Sequence, residues 1–432
     1  MSNIICPLRD PLSKVIKKTK LCADMKCSDN CLENDPVLKY RYEPFGVEFE
    51  VCKRQKSPLL QINSEKDFSN FSNQFEIINT LSADQRKAVN GGSTISTARH
   101  KKTRSDVFIK SFAVFRGYEP AVENLLYEIK VYEAIKELSK AVPHFVNLLY
   151  VSDFSEDALR SLSLTENENN LLLRNVEEFK RNVDPDNNYG KFYDAQVYTH
   201  YVMVTTKAPG LKMRDYFLKS YSENIVPLES TIWSIIFQIL FCLHCMSMMG
   251  FQHNDLHLQN IFIDPNPECK QGLYIIAGRQ FLVPLPAKIY IYDFDLSSCA
   301  QCGENKYLSS GDLCSKFGIC NQRNHKFDMY TVFKHLKQIL TVKQQDGTNR
   351  FLSTRKIFNF LNSALGSDSS ITPKANPYGF CNIIEKLDEE QTEYCRPFIF
   401  PEPLSVQLPV DLLLEYFTNE RIVGFTKIRL VK

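Results

Sequence analysis

The sequence predicts an α+β fold, with a β-rich first part carrying one main helix and a larger, mostly helical part behind it. Three observations lead there. Short β-branched and aromatic runs such as VFIKSF, around Lys110, have strand character. The stretch EPAVENLLYEIKVYEAIKEL repeats apolar residues at helical spacing, at Val122, Leu125, Leu126, Ile129, Tyr132 and Ile135. From Thr231 to Phe251 the uncharged run TIWSIIFQILFCLHCMSMMGF reads as a helix apolar nearly all round, the signature of a central buried helix.

Composition sets the frame. A chain of 432 residues, 44% hydrophobic and 24% charged, has the make-up of a soluble globular protein with room for two sizeable cores. Its 52 basic and 50 acidic residues leave a net charge of +2, which calls for neither a nucleic-acid nor a membrane partner. Fourteen scattered cysteines lack the short, regular spacing of a secreted disulfide scaffold, and MSNIICPLRDPLSKVIKK has no apolar signal core, so reduced thiols in the cytoplasm are expected. The run from Thr231 to Phe251 is long enough to span a bilayer. Its Ser234, Gln238, His244 and Ser247, and the polar loop that follows it directly, favour a core helix instead.

In order along the chain, residues 1–70 form an N-terminal extension without sustained periodicity. Its Cys22, Cys27 and Cys31 have the irregular spacing C-x4-C-x3-C, which favours free cysteines over zinc. From Gln85 to Phe112 the pattern is strand, glycine turn, strand, strand. At Asn90-Gly91-Gly92-Ser93 two readings stay open: a plain Asn-Gly turn, or a loop whose missing Cβ atoms let backbone N–H groups approach phosphates. Arg99 to Arg104 read as a solvated basic turn between the second and third strands, with contact to an acidic substrate as the alternative. A strand near Asn147 to Val151 leads to a polar insert, 155–195. YVMVTTKAPG, from Tyr201 to Gly210, is a strand entering a turn, and helices follow around Met213 to Tyr221 and from Glu229. LYIIAGRQFLVPLPAKIYIYDFDLS is a hairpin leading into a strand that ends at Asp293. Cys299, Cys302, Cys314 and Cys320 then form C-x2-C and C-x5-C pairs, with His325 nearby; zinc and reduced thiols are both open. Helical periods return at Phe327 to Leu340, Ile357 to Leu365 and Val410 to Phe417, with Pro-rich joints from Pro401 to Pro409.

The chemistry gathers in FQHNDLHLQNIFID, Phe251 to Asp264, where two acids, two histidines and an asparagine sit between apolar runs. Asp255 follows His253 by two residues, and Asn260 follows Asp255 by five. This resembles the catalytic loop of protein kinases, where the Asp receives the proton of the attacking hydroxyl and the Asn holds a metal ion. Company stands where the resemblance requires it. Lys110 matches the phosphate lysine, Glu128 lies in the next helix to pair with it, and Asp293 ends a strand beyond the loop.

The chain is thus similar, from about Arg86 to Leu340, to divergent eukaryotic-type protein kinases. HNDLHLQN, with His257 where most have lysine, and the long hairpin before Asp293 resemble the haspin group, and the whole resembles kinases of large DNA viruses. The resemblance implies a bilobal kinase-like fold, with a small lobe over 71–206 and a large lobe over 207–432. It implies Mg-ATP as cofactor, with Gly91, Gly92, Ser93 and Lys110 at the phosphates, main-chain groups of Thr205, Thr206 and Lys207 at the adenine, and Asn260 and Asp293 as Mg²⁺ ligands. Asp255 would be the base, His253 a brace for the loop, and Asp328 a carboxylate holding that loop. The implied activity is phosphoryl transfer to Ser/Thr hydroxyls of protein substrates by a monomer, in host cytoplasm or packaged in a virion. A small-molecule phosphotransferase of the aminoglycoside or choline kinase type shares the loop pattern. A pseudokinase would account for the absent G-x-G-x-x-G and A-P-E motifs.

Overall fold

The computed structural model describes residues 46–49, 68–81, 93–115, 119–139, 141–155, 197–223, 228–309, 321, 326–340, 355–365, 408–418 and 429–431. Gly91, Gly92, the insert at 156–195, Cys22, Cys27, Cys31, Cys314, Cys320, His325 and the proline-rich 401–407 lie outside these. In chain order the elements are β1 (Gly46–Phe49), α1 (Phe68–Ser72), β2 (Phe75–Leu81), β3 (Ser93–His100), β4 (Asp106–Phe115), α2 (Glu119–Ser139), β5 (Leu148–Ser155) and β6 (Val197–Thr206). Then come β7 (Leu211–Lys212), α3 (Met213–Ser222), α4 (Glu229–Met248), β8 (Phe251–Gln252), β9 (Ile261–Asp264), β10 (Gln271–Ile276), β11 (Arg279–Pro284), β12 (Lys288–Ile291) and β13 (Ser298–Cys299). The chain closes with α5 (Lys306–Ser309), α6 (Phe327–Leu340), α7 (Arg355–Leu365), α8 (Pro409–Tyr416) and β14 (Arg429–Val431). This is an α+β fold: a five-stranded antiparallel sheet with one long helix, followed by mixed helices and small sheets.

The described residues divide into two compact units, one within 53–136 and 146–208, the other within 1–52, 137–145 and 209–432. The first holds the five-stranded sheet, in the order β2-β3-β4-β6-β5. Strand side chains alternate between faces. Val107 and Ile109 of β4 therefore share one face with Ala98, Val202, Val204 and Phe154, and α1 covers that face with Phe68 and Phe71. Phe71 stacks on Tyr150 at 5.3 Å, and Phe68 meets Phe154 edge-on at 5.2 Å. Thus the end of the segment expected to be an extension belongs to the core of the sheet. Lys110, one residue out of step with Ile109, points to the opposite face. The β3–β4 turn exposes Lys101, Lys102 and Arg104 as expected, but His100 is buried, its Nδ1 accepting the Thr103 N–H at 3.2 Å.

The second unit is built round α4, buried from Thr231 to Met248. Long and apolar enough to cross a membrane, this helix has 94% of its apolar window inside the protein. Its polar residues receive the segment between β11 and β12. Gln238 Nε2 donates to Ala287 O at 2.9 Å while its Oε1 accepts from Ile289 N at 3.1 Å, and Ser234 Oγ donates to Pro284 O at 2.8 Å. One amide thus acts as a short stretch of partner strand for β12. Trp233 packs edge-on against Phe360 of α7 and Phe417 behind α8. β12 pairs with β9 and β9 with β7 in one sheet, while β8, on the other side of the polar loop, pairs with β13. Gly210 opens β7 at φ +86°, where an added Cβ would lie 1.9 Å from Ile263 O of β9; only glycine permits that approach.

β1 and β14 add to the two sides of the β10–β11 hairpin, giving the order β1-β10-β11-β14. The hairpin is legible in the sequence pattern, but its two outer strands are not. Near it, Cys269 is disulfide-bonded, a departure from the expected reduced thiols; its partner lies outside the described residues. The hairpin turn is Ala277-Gly278, with φ +47° and +73°. Positive φ at both positions is the type I′ geometry, which strains an alanine and suits asparagine. Ala277→Asn is expected to stabilise this unit by about 0.5–1 kcal/mol, read as a rise in thermal midpoint.

His144 and His244 are also buried here. The imidazole of His144 donates through Nδ1 to Ile289 O at 3.0 Å and accepts the Tyr274 hydroxyl at Nε2, 2.9 Å away. Burial, with Lys288 adding repulsion, lowers its pKa to about 3, and burial lowers that of His244 to about 4. Both stay neutral in the folded state, whereas an unfolded histidine takes up a proton near pH 6.5. The unfolded chain therefore binds more protons between those values, so this stability is complete above about pH 6.5 and is lost as pH falls towards the folded values. Comparing wild type with His144→Gln by denaturation, the stability advantage of wild type should shrink by roughly 1.4 kcal/mol per pH unit below pH 6.

Candidate functional site

Two groups of the singled-out residues are described, one in each unit. In the first unit, Lys110 lies on β4 between Ile95 of β3 and Met203 of β6. Its Nζ sits 3.0 Å from both carboxylate oxygens of Glu128 on α2 and 4.7 Å above the Phe112 ring. The Lys110 side chain is 16% exposed and that of Glu128 2%. A buried charge needs a partner, and each supplies the other's, so the pair holds an ammonium at a fixed point on the sheet face opposite α1.

At the end of β6 the geometry is less open than the sequence implied. Thr206 donates its main-chain N–H to Asn147 O at 2.9 Å, and Lys207 donates its own to Asp106 O at 3.4 Å. Thr205 is buried in the sheet, paired with Phe108 and Leu148. An adenine ring nitrogen accepting from the main chain of Thr206 or Lys207 would have to displace one of those two N–H bonds. Ser93 begins β3 opposite Phe112.

In the second unit the loop from Phe251 to Asn260 carries the remaining candidates, and a carboxylate holds it from behind. Asp328, in the first turn of α6, accepts the main-chain N–H of His253 at 2.7 Å through Oδ2 and of Asn254 at 2.8 Å through Oδ1. Burial pushes the Asp328 carboxyl above its ordinary range, against the opposing pull of His253 and these two donors. Asn254 adopts φ +65°, a conformation asparagine tolerates better than most residues. Its side chain is fixed by a bond from Nδ2 to Leu296 O at 3.0 Å and one from Gln252 Nε2 to Oδ1 at 2.6 Å.

Both histidines of the loop accept a main-chain N–H from two residues ahead. Asp255 N donates to His253 Nδ1 at 3.3 Å, and Gln259 N donates to His257 Nδ1 at 3.0 Å. A main-chain N–H can only donate, so each Nδ1 is bare and each proton lies on Nε2. His253 gives that proton to Tyr292 O at 3.0 Å, next to Asp293, which makes it a brace between the loop and the strand end.

Asp255 and Asn260 meet directly. The Asn260 amide nitrogen donates to Asp255 O at 3.0 Å and faces Asp255 Oδ2 at 3.4 Å, while His257 Nε2 lies 3.7 Å from the same Oδ2. With its nitrogen committed to Asp255, Asn260 offers its amide oxygen to a ligand. The main chain before Asp293 is tied to the loop, Tyr292 N donating to Asn260 O at 3.2 Å and Tyr292 Oη to Gln259 O at 2.7 Å. Asp293 itself has φ +69°, an uncommon conformation for an aspartate, and is half-buried. Phe294 behind it is fully buried, its ring 5.2 Å from His253 and 5.7 Å from Phe251. An amide oxygen and a half-buried carboxylate are hard oxygen donors of the kind Mg²⁺ takes alongside phosphate oxygens and water.

Among the described residues no three His, Cys, Asp or Glu side chains gather as a metal site, and neither Cys299 nor Cys302 is in a disulfide. The sequence reading overlooked Tyr292, Ser297 and Asn305. Ser297 Oγ donates to His253 O at 3.3 Å, and Asn305 Nδ2 donates to Ser297 O at 3.0 Å. These carry main-chain contacts that leave no pattern in spacing. No protein-family model matches the chain, and no curated protein matches it significantly.

Asp328 is the residue whose loss should be felt most. Asp328→Ala leaves two buried N–H groups without an acceptor, a cost on the order of 3 kcal/mol, whereas Asp328→Asn keeps one acceptor and should lose less. Thermal denaturation of the two variants beside wild type measures the difference.

Proposed function

We propose that the chain is an ATP-dependent protein kinase of bilobal, kinase-like fold that transfers the γ-phosphate of Mg-ATP to Ser or Thr hydroxyls of protein substrates. The observation that carries the reading is the loop of Asp255 and Asn260. Its base candidate and its amide ligand touch, and a buried carboxylate on a separate helix grips the two residues before the base. A surface turn has no use for that investment of buried polar groups; a loop that must hold charge in place does.

Phosphoryl transfer asks for positioning and charge compensation more than for covalent chemistry. In this reading Asp255 orients the acceptor hydroxyl and takes its proton as the oxygen attacks phosphorus, while the bond from γ-phosphorus to the bridging oxygen breaks and ADP leaves. Lys110, fixed by Glu128, compensates the α and β phosphate oxygens. The amide oxygen of Asn260 and the carboxylate of Asp293 would hold Mg²⁺, which when bound neutralises charge on the phosphates. His253, its proton given to Tyr292 O, orients the loop and exchanges no proton with substrate.

The test is transfer of label from radioactive ATP with Mg²⁺ to histone, casein or a panel of small alcohols. Wild type is expected to label protein, and Asp255→Asn to label it at least about 10²-fold more slowly, the usual scale for a lost general base. Label on an alcohol alone would replace the protein acceptor by a small molecule. Nucleotide binding with no label anywhere would overturn the reading.

A further inference from the structure

His257 stands two residues beyond the base candidate, and its surroundings fix what it can offer. Its Nδ1 is held by the Gln259 main-chain N–H at 3.0 Å, which keeps the ring proton on Nε2. That Nε2 lies 3.7 Å from Asp255 Oδ2, with both side chains nearly buried, at 10% and 7% exposure. The same oxygen is faced at 3.4 Å by the Asn260 amide nitrogen. Two N–H groups on different residues thus converge on one carboxylate oxygen. Both approaches are longer than a good hydrogen bond, as such contacts often are before a ligand closes them.

We propose that His257 is a positioning residue for Asp255: a neutral Nε2–H donor that, with Asn260, fixes the orientation in which the Asp255 carboxylate meets the acceptor hydroxyl. The assignment rests on the phosphotransferase reading and adds to it. Where the loops it resembles place a lysine, whose charge reaches the transferred phosphate, this loop has a ring whose Nε2 stands 3.7 Å from the base. Protonating Nδ1 to make a cation would break the Gln259 contact. His257 therefore acts on the orientation of the base and not on the charge of the nucleotide.

Two substitutions separate this role from mere support of the loop. His257→Gln places an amide N–H where Nε2 stands but removes the acceptor for Gln259; His257→Asn places an acceptor near the old Nδ1 but has no donor that reaches Asp255. Steady-state kinetics with Mg-ATP and whichever acceptor wild type labels, beside thermal midpoints for all three proteins, gives the answer. The Gln variant is expected to keep kcat within about threefold of wild type, and the Asn variant to lose about 10²-fold in kcat, with KM for ATP unchanged in both, since a misplaced base costs on that scale. Asn activity equal to wild type with Gln impaired would overturn the proposal and make His257 a loop support. A rise in KM for ATP with kcat intact would overturn it in favour of a nucleotide contact. Wild type without transfer to any acceptor overturns the phosphotransferase reading itself, and this assignment falls with it.

Discussion

The loop between β8 and β9 depends on one buried carboxylate. Asp328 arrives on α6, more than seventy residues downstream, and gives its two oxygens to the N–H groups of His253 and Asn254. Those N–H groups belong to no strand or helix, so without Asp328 they would be buried donors with no acceptor among these contacts, a state proteins avoid. The arrangement also explains how Asn254 is kept at positive φ: donors at consecutive residues are aimed at one side chain, and its own amide is fixed at both ends. The same carboxylate favours the first turn of α6, where the helix dipole prefers negative charge. Burial raises its pKa, and the two donors work against that shift. The loop and the helix are therefore stabilised by the same group.

The core behind the loop solves a related difficulty. A helix as apolar as α4 is stable only if it is enclosed, and what encloses it includes main chain that needs hydrogen-bond partners. Gln238 and Ser234 meet that need at Ala287, Ile289 and Pro284. Their polarity, which in the sequence spoke against a membrane span, is the means by which β12 is seated. β12 in turn pairs with β9, and Tyr292 just beyond it bonds back to Asn260 and Gln259. A chain of local requirements leads from one glutamine in the core to the placing of Asp293.

What could be read from the sequence was whatever has a period or a fixed spacing. The extents of α4 and α6, the hairpin of β10 and β11, the strand of Lys110 with Glu128 on the next helix, and the nearness of Asp255 to Asn260 all follow from such patterns. Hidden from it were features set by distant main chain. α1 is too short to show periodicity, and its two phenylalanines gain meaning only against the sheet they cover. β1 and β14 are short strands paired through backbone atoms, which carry no residue code. The engagement of the Thr206 and Lys207 N–H groups is invisible for the same reason. His100 seemed to belong to an exposed basic run, but strand alternation turns it inward while Lys101, Lys102 and Arg104 stay in water.

The two histidines of the loop show how far local geometry can divide residues of one type. Each has Nδ1 capped by the N–H two residues on, a short-range contact like those that make Asn and Asp organise turns. The cap consumes one ring nitrogen and leaves a single donor whose direction is set by the backbone. For His253 that donor meets a carbonyl oxygen, a neutral acceptor that ties loop to strand end. For His257 it faces a carboxylate on the same loop. Identical local capping thus yields a cross-brace in one case and a neighbour of the base candidate in the other. The difference lies in what stands opposite Nε2, Tyr292 O or Asp255 Oδ2, and a lysine, with no acceptor for the capping N–H, could take neither place.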